Sequence, residues 1–122
     1  NYFIYDVKLE LKRGDSSIIK ENYLKNMNDR KTKGQFDFPS AGCVFKNNYQ
    51  IGVSSGKIIE DAGLKGLVIG GAKISEKHAN FLINNGDAKA ADVLKLIKFI
   101  ENEVLGKKGI KLERELRIIG LE

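Results

Sequence analysis

The sequence predicts an α+β fold, a small and mostly antiparallel sheet with helices packed on one side. Period-two apolar alternation appears near both ends of the chain, and residues 90–107 carry apolar side chains at helical spacing. The strand candidates between them are short and develop no long βαβ series, which argues against a doubly wound parallel sheet.

The elements follow in chain order. Phe3, Tyr5, Val7, Leu9 and Leu11 alternate with more polar neighbours, the pattern of a half-buried strand. Asp15 or Ser16 can cap a helix that places Ile18, Ile19, Leu24 and Met27 on one side and runs out in the basic stretch "NDRKTKG". The segment "SSGKIIEDAG" reads as a short capped helix closed by Gly63, where a missing Cβ permits the left-handed conformation. Short apolar runs in "LKGLVIGGAKIS" are broken by Gly66, Gly70 and Gly71, and Phe81, Leu82 and Ile83 form a short strand ended by the turn Asn84-Asn85-Gly86. The strongest helix follows, with Val93, Leu94, Ile97, Ile100, Val104 and Leu105 on one face and Gly109 as its stop. A final strand is expected in "KLERELRIIG", alternating Leu112, Arg114, Leu116 and Ile118 against Glu113, Glu115, Arg117 and Ile119.

At 122 residues the chain is one domain's worth, long enough to bury a core without staples. One Cys cannot close an internal disulfide, and one Cys with one His cannot furnish a structural zinc site. No run of about eighteen apolar residues is present to span a membrane, and the first residues lack the layout of a secretory signal, so the expected compartment is a reducing cytoplasm. The chain opens directly on a strand pattern with neither methionine nor polar leader, which reads as a piece cut from a longer polypeptide.

Lys and Arg number 21 against 16 Asp and Glu, and the net charge of +5 suits an anionic partner, either nucleic acid or a phosphorylated small molecule. A basic nucleic-acid-binding module is the alternative to an enzyme. It calls for aromatic side chains among the basic ones, yet the chain has no Trp and the cluster Arg30, Lys31, Lys33 meets no aromatic until Phe36. The glycines of "GLKGLVIGGA" fit neither a Walker loop nor a dinucleotide fingerprint. Cys43, by itself, would be a small buried hydrophobe.

Four blocks occur together and in order: "PSAGCVFKN" at 39–47, "AGLKG" at 62–66, "IGGAKISEKHANFLIN" at 69–84 and "LERELRIIG" at 112–120. Together they resemble the C-terminal, substrate-binding domain of the UDP-N-acetylenolpyruvoylglucosamine reductase family of bacterial peptidoglycan synthesis, from about residue 20 to the end. The resemblance implies a flavoenzyme that reduces the enolpyruvyl ether of UDP-N-acetylglucosamine to UDP-N-acetylmuramate, with hydride passing from NADPH to FAD and then to substrate. It implies that FAD is held mainly by a preceding region. Residues 1–13 would then be a terminal strand left from that FAD-binding domain and 14–122 the substrate-binding domain, which alone would bind no FAD and turn over nothing. No nucleic acid, membrane or obligate protein partner is implied.

The same resemblance assigns residues. Cys43 stands where the family usually has a serine that gives a proton to the substrate carbon next to the carboxylate. A thiol with an ordinary pKa near 8.5 is a stronger acid than an alcohol yet still mostly protonated at neutral pH, which preserves that role. Glu115 matches the glutamate that helps polarise the enolpyruvyl carboxylate. Asn47 and His78 match positions that contact the UDP moiety, and Lys31 and Lys33 are the candidates for pairing with the diphosphate. The chain departs from the family where Gly34-Gln35 replaces a common Gln-Pro and where Asn48 replaces a proline.

Overall fold

The computed structural model describes residues 4–120. Its elements are α1 (Ser16–Thr32), β1 (Ser40–Cys43), α2 (Ser55–Asp61), β2 (Val68–Ile69), β3 (Ala72–Ile74), β4 (Phe81–Asn84) and α3 (Ala90–Lys108). The four strands form one antiparallel sheet in the order β1-β4-β3-β2, so the α+β class expected from the sequence is the one observed.

The two faces of the sheet have different neighbours. Ala72 and Ile74 of β3 and Leu82 of β4 belong to the main core, with Ile58 and Ile59 of α2 and Leu96, Ile97, Ile100 and Val104 of α3. Residues on one strand alternate between faces, so Lys73, Phe81 and Ile83 lie on the opposite side. Phe81 and Ile83 are buried there without joining the helix-facing core. That second face carries the candidate chemistry.

Local rules account for the helices. Asp15 accepts hydrogen bonds from the Ser17 and Ile18 amides at 2.8 and 3.2 Å and starts α1. Ser54 accepts from the Lys57 amide at 3.3 Å and starts α2. Gly109, at φ 66°, takes the left-handed position that ends α3. The hairpin turn between β2 and β3 rests on the first turn of α3. A Cβ at Gly71 would collide with the Gly86 carbonyl and the Ala88 amide, which is why that close approach requires glycine.

Three sequence expectations are corrected. Residues 4–13 form no strand and are exposed, with Tyr5 fully so; Phe3, part of the expected pattern, lies outside the described residues. A strand needs a neighbouring backbone for its amides and carbonyls, and residues 4–13 have no such partner among the described residues. The apolar side expected on α1 is formed but not covered: Ile18, Ile19 and Leu24 are all more than half exposed and the helix buries no residue. The C-terminal strand is reduced to a single antiparallel bridge between Phe45 and Arg114. Leu112 and Leu116 do turn toward the core as the alternation requires, but Arg114 reaches sideways to Glu101 on α3, with Nε–Oε1 and Nη2–Oε2 distances of 2.5 and 2.7 Å.

Candidate functional site

β1 and β4 place Cys43. The two strands pair Ser40 with Ile83 and Cys43 with Phe81, and the register shifts between those pairs, so one strand carries an extra residue there. Gly42 absorbs the bend at φ 86°, while the Ser40 hydroxyl donates to the Leu82 carbonyl at 2.8 Å and accepts from the Gly42 amide at 3.1 Å. Directly paired residues of antiparallel strands project to the same face, so Cys43 and Phe81 stand side by side on the face away from the helices.

Glu115 reaches the same place along another path. Its backbone amide donates to the Val44 carbonyl at 2.8 Å, and the Lys46 amide donates to the Glu113 carbonyl at 2.8 Å. Lys46 and Glu113 also pair through their side chains. This stitching brings Glu115, 72 positions downstream in the numbering, to the rim of a cleft of about 340 Å³ that also contains Cys43, Gln35, Phe36, Ser40 and Phe81. Burial pushes the Cys43 thiol above its ordinary pKa; the Glu115 carboxylate adds to that effect, and the Asn80 amide opposes it. The thiol is therefore held protonated through neutral pH. A nucleophilic cysteine needs the reverse, a depressed pKa that yields thiolate.

His78 stands on the other side of Phe81. The two rings are stacked, with centroids 4.1 Å apart and planes 16° from parallel. His78 Nδ1 accepts from the Asn80 amide at 3.3 Å, which leaves Nε2 as the proton-bearing nitrogen. Its pKa is lowered chiefly by burial, with the charges of Lys33 and Lys65 acting in the same direction. A neutral imidazole with a free donor results. It lines a small cleft with Ser54, Lys57 and Lys77.

Asn47 lies in a neighbouring cleft of about 450 Å³, beside Lys46, Tyr49, Ser55 and Lys111. Its Oδ1 accepts from the Ser55 amide at 2.9 Å and so helps to fix the first turn of α2. The Asn47 Nδ2 has no hydrogen-bond partner among the described residues.

Of the six residues expected from the sequence, Cys43 and Glu115 share one cleft, while His78 and Asn47 flank α2 on separate clefts. Lys33 ends α1 and pairs with Asp29 at 2.7 Å, yet it is near enough to His78 to act on its titration. Lys31, in the last turn of α1, is exposed and has no ion pair among the described residues. Lys57 and Lys77 were missed as neighbours of His78; they hold Asp61 and Asp37 at 2.8 and 2.7 Å. Lys77 immediately precedes His78 in the "EKHANF" block, so its position was a usable signal. Asn80 and Phe81 belong to the same block, but the period-two pattern reads them only as strand residues.

The fold and the cleft together define an α+β domain with a protonated thiol and a carboxylate on one face of a small antiparallel sheet. The family model described as "UDP-N-acetylenolpyruvoylglucosamine reductase, C-terminal domain" matches residues 34–119. The chain belongs to that family. It is 43% identical over 122 residues to the UDP-N-acetylenolpyruvoylglucosamine reductase of Borrelia garinii subsp. bavariensis, an alignment that covers 100% of this chain and 40% of the relative. To the reductase of Chlamydia muridarum it is 46% identical over 117 residues, covering 96% of this chain and 38% of the relative. The crystal structure of the Thermus caldophilus UDP-N-acetylenolpyruvylglucosamine reductase superposes with a TM-score of 0.67 at 38% identity, covering 88% of this chain and 38% of that one. The chain thus spans about two-fifths of the length of the curated relatives it matches.

Proposed function

We propose that this chain is the substrate-binding and proton-donating domain of an enzyme that reduces UDP-N-acetylglucosamine enolpyruvate to UDP-N-acetylmuramate, in the bacterial cytoplasm. The observation that carries it is the shared cleft of Cys43 and Glu115, with a thiol kept neutral by burial and by the carboxylate.

NADPH and FAD would supply the hydride to the outer vinyl carbon of the substrate. The cleft at Cys43 offers a thiol, a carboxylate, an amide, a hydroxyl and two phenyl rings, and no cationic side chain for a pyrophosphate. These residues do not by themselves fit a flavin dinucleotide.

The chain's own contribution is the proton. Once the outer vinyl carbon has gained hydride, the carbon next to the carboxylate carries the excess electron pair. That pair takes the proton from Cys43 Sγ, a C–H bond forms as the S–H bond breaks, and the thiolate regains a proton from solvent. Glu115 acts at the substrate carboxylate, where charge accumulates before protonation. His78 Nε2–H and the Asn47 amide donate toward the UDP moiety without adding fixed charge, and Lys31 and Lys33 attract the diphosphate.

The test uses the full-length enzyme carrying this domain. Cys43→Ala should slow substrate reduction by several orders of magnitude while NADPH still reduces the flavin at nearly the parental rate, and Cys43→Ser should retain useful turnover. Parental substrate reduction in Cys43→Ala would remove Cys43 from the reaction.

A further inference from the structure

Asn80 is the most deeply buried polar side chain near the cleft, with 2% of its surface exposed. Its amide makes two hydrogen bonds to one residue: the Phe45 amide donates to Oδ1 at 2.9 Å, and Nδ2 donates to the Phe45 carbonyl at 2.8 Å. A side-chain amide used in this way pairs with a backbone as a strand residue would. The Asn80 carbonyl meanwhile accepts from the Val44 amide at 2.9 Å. Both the main chain and the side chain of Asn80 therefore grip residues 44 and 45, immediately after the thiol.

The same two residues hold the carboxylate from the other side. The Val44 carbonyl accepts the Glu115 amide, and Phe45 forms the bridge to Arg114. Val44 is thus fixed by Asn80 through its N–H and fixes Glu115 through its C=O. β1 ends at Cys43, so no regular ladder sets this geometry.

We propose that Asn80 is the positioning residue of the Cys43–Glu115 pair: by standing in for a strand residue opposite Phe45, it sets where thiol and carboxylate face each other across the cleft. It touches no substrate; it holds the backbone of residues 44 and 45, and its side-chain amide also faces the Cys43 thiol. The assignment rests on the roles proposed above for Cys43 and Glu115, but its consequences are visible in the resting protein.

Asn80→Asp tests it. The carboxylate retains an acceptor for the Phe45 amide, loses the donor to the Phe45 carbonyl and adds negative charge beside the thiol. In the folded 122-residue chain, confirmed by circular dichroism, the pH midpoint of iodoacetamide alkylation of Cys43 should move upward, with at least a threefold slower reaction at pH 8. Ser75→Ala, which alters a different buried polar side chain, should leave that midpoint in place. An unchanged midpoint in folded Asn80→Asp overturns the proposal.

Hydrogen exchange on the unmutated chain gives a second decision that does not depend on any variant folding. The Phe45 and Glu115 amides should open together, with protection within about tenfold of each other. Strong protection at Phe45 with free exchange at Glu115 would overturn it. Neither measurement involves turnover, so failure here leaves the reductase reading standing, and an inactive full-length enzyme would not disturb either result.

Discussion

Two regions carry the residues expected to meet substrate, and they are held in opposite ways. Around Cys43 and Glu115, Val44 and Phe45 are buried and held on both sides, by Asn80 and by residues 114–116. The basic end of α1 buries nothing, and among the described residues the Lys33 ammonium pairs only with Asp29 one turn earlier. The difference follows the chemistry each must do. Proton delivery to one carbon depends on distance and direction, whereas attraction of a diphosphate by an ammonium is non-directional and tolerates a looser support.

The comparison can be broken most severely at its rigid end. Phe45→Ala should cost about 3 to 5 kcal/mol of stability, read from the denaturant midpoint, because a ring with 1% exposure leaves a cavity in the core. A loss below about 1 kcal/mol would mean that the site is not supported by that core. In the full-length enzyme, Glu115→Gln should lower kcat on the order of a hundredfold with little change in KM, the mark of an interaction made mainly in the transition state. An unchanged kcat would remove Glu115 from the reaction.

At the loose end, Lys31→Ala and Lys33→Ala should raise KM by an amount equivalent to about 1.5 to 3 kcal/mol each, shrinking as salt is added. Salt-independent KM values would return the cluster to a solvated helix end. The stability of the isolated chain should hardly register the same changes, shifting by about 0.5 kcal/mol or less, since the Lys33–Asp29 pair is exposed.

The titrations of Cys43 and His78 sharpen the picture through pH. Cys43 is an acid with a raised folded pKa, so its contribution to stability is fully present below the ordinary thiol value and is lost as pH rises through the folded value. His78 is a base with a lowered folded pKa, so its contribution is present above 6.5 and is lost as pH falls through the folded value. Thermal melts should show both declines. Cys43→Ser should flatten the alkaline one and His78→Gln the acid one; a parental profile in either variant would mean that the group is not buried as described.

Much of the architecture was legible because it is local. The capped starts of α1 and α2, the stop at Gly109 and the apolar face of α3 each depend on a few neighbouring residues; the structure chooses Asp15 over Ser16 and makes Ser54 the cap of the "SSGKIIEDAG" helix. The four ordered blocks likewise pointed to Cys43 and Glu115, since the motif names both without any geometry. The expected strands are absent over residues 4–13 and reduced to one bridge within 111–120, because alternation reports which side chains are apolar. It does not report whether a backbone partner exists.

By itself, then, the sequence determined the α+β class, the helices, the family and the residue types at the site. Only the tertiary structure decided that Glu115 meets Cys43 through the Val44 carbonyl, that Phe81 stands between thiol and imidazole, and that Asn80 grips Phe45 from within. Those that reach residues 43–45 join positions 35 to 71 apart in the sequence. They arise when burial of the core leaves backbone amides and carbonyls few partners within reach, a condition no local pattern encodes.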